Sequence, residues 1–123
     1  MATLNDRVLD LGLNVLDQEA NRVDICSSEP SSYSAATSSV SLGNTTSISI
    51  SAPANASPNG RKVTLSAISG ASVTGTGTAT HFAISDTSNS RLLATGLLSA
   101  SQAVTSGNTF SLTASDIRIP DPA

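Results

Sequence analysis

The chain has 123 residues, 38% of them hydrophobic and 12% charged, with a formal net charge of −3 and a single cysteine, Cys26. No Lys/Arg cluster extends beyond Arg61-Lys62, so the footprint that neutralises phosphates is missing and a nucleic-acid partner is excluded. One cysteine excludes an internal disulfide and a thiolate metal cage, and no apolar run approaches the roughly 18 residues of a membrane span.

The length predicts a single domain over residues 1–123, with a helix in 1–20 and a β-sandwich in 21–123. Charged residues are about half as frequent as the roughly 25% of ordinary domains, and Ser and Thr, nearly a third of the chain, supply the polar surface instead. Thr favours strands and Ser favours turns and caps. The only rings besides His81 are Tyr33, Phe82 and Phe110, so small aliphatic side chains carry the core. Each buries little area, at about 25 cal/mol per Å², and association with further copies is the expected way to add burial. Residues 1–30 hold six of nine acids and two of six bases, a polarity suited to orienting one subunit against another.

In chain order, Thr3 and Asp6 form a variant capping box, and Leu4, Val8, Leu11 and Val15 follow at helical spacing, predicting a helix over about 4–17. Leu9, Leu13 and Leu16 make a second row beside the first, wider than a solvated helix needs, so the face must be covered. Leu4, Val8, Leu11 and Val15 are therefore the expected assembly contact. Gly12 inside the pattern suggests close packing or a bend. This N-terminus lacks the basic start and unbroken apolar core of a secretion signal, which predicts folding in the cytosol that makes the chain.

Val23 and Ile25 alternate with Asp24 and Cys26 as a short strand, before Glu29-Pro30 opens a loop over about 27–38. One helical turn at Ser32–Ala36 would tuck Tyr33 inward. Val40 with Leu42, and Ile48 with Ile50, alternate as strands. Pro53, Pro58 and Asn59-Gly60 mark a loop, after which Val63, Leu65 and Ala67 share a strand face. A turn at Ser69-Gly70 leads to a long strand, Val73–Ser85, whose Gly75 and Gly77 suggest a bulge or a close backbone approach. Asp86–Ser90 turns the chain, Arg91–Leu98 and Gln102–Val104 are strands, and Ser106-Gly107-Asn108 turns it again. Phe110, Leu112 and Ala114, then Ile117 and Ile119, close the pattern. Seven or eight short strands at near-regular spacing predict a mainly β fold, an antiparallel sandwich (jelly-roll-like) or small barrel with one N-terminal helix.

Nothing in the sequence forms a catalytic constellation, and no enzymatic activity is expected. His81 is the single histidine; a triad would need it with Asp86 or Asp116, and no G-x-S-x-G elbow accompanies it. With one His and one Cys, no metal site and no cofactor are expected. Asp6, Asp10, Asp17, Glu19, Asp24 and Glu29 read as solubilising charges, Asp86-Thr87-Ser88-Asn89 as a turn rather than a calcium loop, and Gly75-Thr76-Gly77 as a strand feature rather than a dinucleotide motif. The acceptor patterns Asn44-Thr45-Thr46 and Asn55-Ala56-Ser57 are expected to be silent without a secretion signal.

Thr80–Ala83, Leu92–Ala94 and Ala103–Phe110 reproduce a Thr-His-aromatic-Ala strand, a Leu-Leu-Ala strand and an AVTSGNTF run. With the N-terminal helix, VDICSSEPSSYSAA and SPNGRKVTLSAI, these make nearly the whole chain resemble a group of small virion proteins of tailed phages. The resemblance implies a structural component of the virion, made in the host bacterial cytoplasm. A capsid decoration or cementing subunit is the leading expectation, and a collar, neck or tail fibre-like subunit the alternative. Implied partners are further copies of itself, as a homo-oligomer such as a trimer, and phage capsid, neck or tail proteins. A host-surface glycan-binding module using Tyr33 is a further alternative.

Overall fold

In the computed structural model the described residues are 5–57 and 60–119. The elements in order are α1 (Asp6–Glu19), β1 (Arg22–Cys26), a π-helical turn (Ala35–Ser39), β2 (Ser41–Thr45), β3 (Ala54–Asn55), β4 (Arg61–Leu65), β5 (Ile68–Val73), β6 (Gly77–Asp86), β7 (Arg91–Val104), β8 (Thr109–Leu112) and β9 (Ser115–Ile119). The protein is mainly β, with one N-terminal helix and antiparallel sheets, in the class of small sandwiches and barrels, as expected. The chain divides into two compact units. One gathers Met1–Glu19, Ser49–Ser66 and Ala114–Ala123; the other comprises Ala20–Ile48 and Ala67–Thr113. The helix thus shares its unit with strands more than thirty residues away in sequence.

In the helical unit, β4 lies between β3 and β9, with Val63 opposite Ile117 and Arg61 opposite Ile119. Side chains alternate across a strand, so Arg61, Val63 and Leu65 share the face on which α1 packs. Val63 and Leu65 are fully buried there, and Leu9, Leu13 and Leu16 of the helix are buried too. Thr3 of the expected capping box lies outside the described residues. The observed cap is Asn5, whose Oδ1 accepts the Arg7 N–H at 2.9 Å. Ile48 and Ile50 do not form a regular strand; Ile50 makes a single bridge to Leu65.

The other unit is a six-stranded antiparallel sheet in the order β7-β6-β1-β2-β5-β8, curled into a half-barrel. At its centre β1 is buried on both faces, where alternation alone predicts one wet face. Val23 and Ile25 stand opposite Ile84 and Phe82 on one side. Asp24 and Cys26 occupy the other, beneath the π-helical turn, where Cys26, Ala36 and Ala83 form a small core flanked by Val40 and Leu92. That turn falls in the loop where a helical turn was expected, and Tyr33 before it is half-buried.

Three local expectations are corrected. The expected strand Val73–Ser85 is interrupted, with Val73 ending β5 and β6 beginning only at Gly77, because the amides of Thr74 and Gly75 both donate to Leu42 O, at 2.8 and 3.1 Å, and turn the chain away from β5. The two strands are not neighbours in the sheet. Ser69-Gly70 is not a turn between strands but an irregularity within β5, where Gly70 takes a φ of +69°, a backbone region unfavourable to residues bearing a Cβ. Arg91–Leu98 and Gln102–Val104 merge into one strand, β7, whose pairing with β6 shifts register twice.

Candidate functional site

Helical spacing puts Val8, Leu11 and Val15 in one stripe of α1 and Leu9, Leu13 and Leu16 in another. Rotation of the helix about its axis decides which stripe meets the sheet, and an ion pair accompanies the observed rotation. Arg61, on the helix-facing side of β4, donates from Nε to Asp10 Oδ1 at 2.7 Å and from Nη2 to Oδ2 at 3.3 Å. Its remaining donors reach Asn55 Oδ1 and Pro53 O, tying the helix to β3 and the preceding loop. With Asp10 held there, Leu9, Leu13 and Leu16 turn inward. Val8 and Leu11 are left 56% exposed and Val15 39%. The fourth residue of the expected contact, Leu4, lies outside the described residues.

The outcome is an apolar stripe on a helix that the sheet already supports from behind. The Val8, Leu11 and Val15 side chains offer no polar atoms of their own, and their chemistry is that of desolvation on contact with another apolar surface.

The residues weighed for catalysis are dispersed or committed elsewhere. His81 Nδ1 lies 2.9 Å from Thr80 Oγ1, whose hydroxyl donates to Ser27 O, and Nε2 lies 3.9 Å from Glu29 Oε2. Asp86 is five residues further along β6, roughly 16 Å at 3.3 Å per residue and on the opposite face. Its carboxylate accepts from Asn89 Nδ2 at 2.8 Å and from the Ser88 amide at 2.9 Å, closing the turn into β7. The Asn89 side chain, ahead of the turn amides, holds its pKa below the usual carboxylate range. Asp116, on β9, accepts from Thr64 Oγ1 at 2.7 Å and Lys62 Nζ at 3.1 Å across the face turned away from α1, and these partners, Thr64 first, lower its pKa too. Both aspartates are structural ties. Among the described residues no group of three or more His, Cys, Asp or Glu converges as metal ligands, no enclosed pocket is present, and no helix is long and apolar enough to cross a membrane.

Sequence reasoning missed one exposed residue. Leu97 on β7 is 73% exposed. The available signal was the uncharged, leucine-rich run Leu92–Leu98 within the expected strand Arg91–Leu98. Compared with models of known families, with curated proteins and with solved structures, the chain matches none.

Proposed function

We propose that this protein is a non-enzymatic structural subunit of a tailed-phage particle, a decoration or cementing protein on the capsid exterior, that attaches through the Val8, Leu11 and Val15 stripe of α1. The observation that carries the reading is that stripe. A helix fixed to its own sheet by three buried leucines and by the Arg61–Asp10 pair exposes a second apolar row, which a subunit destined for an assembly would cover. The virion context comes from the resemblance of Thr80–Ala83, Leu92–Ala94 and Ala103–Phe110 to phage structural proteins, and the low charge and abundant hydroxyls accord with it.

A collar, neck or fibre-like subunit would use the same stripe and differ only in position on the particle. The glycan-binding alternative has less support, because Tyr33, its one candidate for stacking on a sugar, is half-buried beside the π-helical turn.

The test is incorporation. Particles assembled with the Leu11→Asp protein should lack the subunit while the purified variant keeps the wild-type circular dichroism spectrum, since Leu11 contributes little to the core. Incorporation at wild-type occupancy would overturn the assignment of the stripe. Electron microscopy of particles carrying a labelled copy would distinguish shell, neck and tail positions.

A further inference from the structure

Among the described residues, strand β7 ends the six-stranded sheet and pairs on one side only, with β6. Open edges offer unpaired amides and carbonyls to any passing strand, and proteins blunt them with charge, proline or brevity. This one is 14 residues long, and from Leu92 to Val104 it has neither a charged residue nor a proline. Its ladder to β6 is regular from Ala94 to Leu97. Towards its C-terminal end the strand leans on its own sheet, where Gln102 Nε2 donates to Ser111 O of β8 at 2.9 Å. The open and regular stretch is therefore Ala94–Leu97, in the middle of the run Leu92–Leu98.

The run Leu92-Leu93-Ala94-Thr95-Gly96-Leu97-Leu98 reads the same in both directions except that Ala94 and Gly96, both small, exchange places. Such a segment complements itself when paired antiparallel about a twofold axis through Thr95. Ala94 then faces Gly96 of the second copy, so that small residues meet small, with a Thr–Thr pair on the axis and Leu97 beside it; Leu93, bulged by the register shift against β6, and Leu92 lie beyond the regular pairing.

From Ala94 to Leu97, where the ladder to β6 is regular, the faces agree with this register. Ala94 and Gly96 stand opposite Ile84 and Phe82, and the Phe82 ring already lies over Gly96, within 2.6 Å of where a Cβ would sit. Thr95 and Leu97 point to the other side, and both are exposed.

We propose that β7 pairs with β7 of a second copy about an axis through Thr95, giving an isologous dimer with one sheet continuous across both chains. Self-pairing closes after two copies, whereas pairing β7 with β8 of another copy would propagate into filaments. The intramolecular Gln102–Ser111 bond on β8 disfavours that second mode. This inference concerns a surface distinct from the helix stripe and does not depend on the phage reading.

Cysteine cross-linking of the full chain tests it, with Cys26 buried in every variant. Under mild oxidation Thr95→Cys should form a covalent dimer about tenfold or more faster than Ser99→Cys, because only the axial position brings two Cβ atoms within disulfide reach. Adding Leu97→Lys to Thr95→Cys should abolish the advantage, and adding Leu11→Asp should leave it intact, separating this surface from the helix stripe. In sedimentation, the wild type should reach a dimer and stop, and Leu97→Lys alone should shift it towards monomer. Equal cross-linking at 95 and 99, a wild type that sediments as Leu97→Lys does, or growth into filaments would each overturn the proposal.

Discussion

The Asp24 carboxylate grips the Arg22 guanidinium with both oxygens, Oδ1 to Nε at 2.8 Å and Oδ2 to Nη2 at 2.9 Å, on a strand where Asp24 is completely buried. Ser41 Oγ donates to Oδ2 at 2.7 Å, and Arg22 Nη2 also reaches Thr37 O at 3.4 Å. Four elements of chain therefore meet at one charge: β1, β2, the π-helical turn and, through Ala83 opposite Asp24, β6. The hydrogen bond to Asp24 raises the pKa of Arg22 and keeps the guanidinium charged.

Removing one partner of a buried pair strands the other charge. Arg22→Ala should leave Asp24 with the Ser41 hydroxyl alone and destabilise the protein by about 3 kcal/mol, a large share of the stability of an ordinary domain. Arg22→Lys should recover only part of this, because a single ammonium cannot reproduce the two-pronged geometry. Denaturation midpoints in urea measure both, and a wild-type midpoint for Arg22→Ala would refute the role given to the pair.

Cys26 lies next to that carboxylate. Burial, followed by the negative charge of Asp24, pushes its thiol from the ordinary 9.0 up to about 12. The folded protein thus holds this proton more tightly than the unfolded chain. The resulting stability is fully present below about pH 9 and is lost as pH rises from there towards about 12, at up to about 1.4 kcal/mol per pH unit. Cys26→Ala should flatten that alkaline decline relative to wild type. In the native protein at pH 8, thiol reagents should react with Cys26 only as fast as the structure opens, and fast labelling would contradict its burial.

Two glycines should respond oppositely to the same substitution. A Cβ at Gly12, in the middle of α1, would meet Ile119 Cδ1 at 3.5 Å, an ordinary contact, so Gly12→Ala should gain about 0.5–1 kcal/mol from helix propensity and raise the melting temperature by a few degrees. At Gly96 a Cβ would fall 2.6 Å from two carbons of the Phe82 ring, so Gly96→Ala should displace the ring and cost about 1–3 kcal/mol. Thermal melts of the two variants should bracket the wild type, and the reverse order would contradict both placements.

Local patterns alone made much of this protein legible. Period-two alternation marked Val23–Cys26, the run beginning at Val63 and Phe110–Leu112 as strands, and helical spacing marked α1, because each periodicity follows from the backbone geometry of a few consecutive residues. The low charge and the scarcity of rings likewise belonged to the sequence alone. Other features needed partners distant in the chain. Both apolar rows of α1 have the same periodicity, and which one is buried is decided only in the fold, where Leu9, Leu13 and Leu16 are covered and Arg61 pairs with Asp10, fifty-one residues away. Thr74, Thr76 and Thr78 continue the alternation of β5 without a break, and only the Leu42 carbonyl shows that the chain turns there. Asp24 occupies the position of a solvent-facing residue in its strand and becomes the buried partner of Arg22 because the π-helical turn covers it. Periodicity sorts residues onto faces; which faces are covered depends on segments that meet only when the chain is folded.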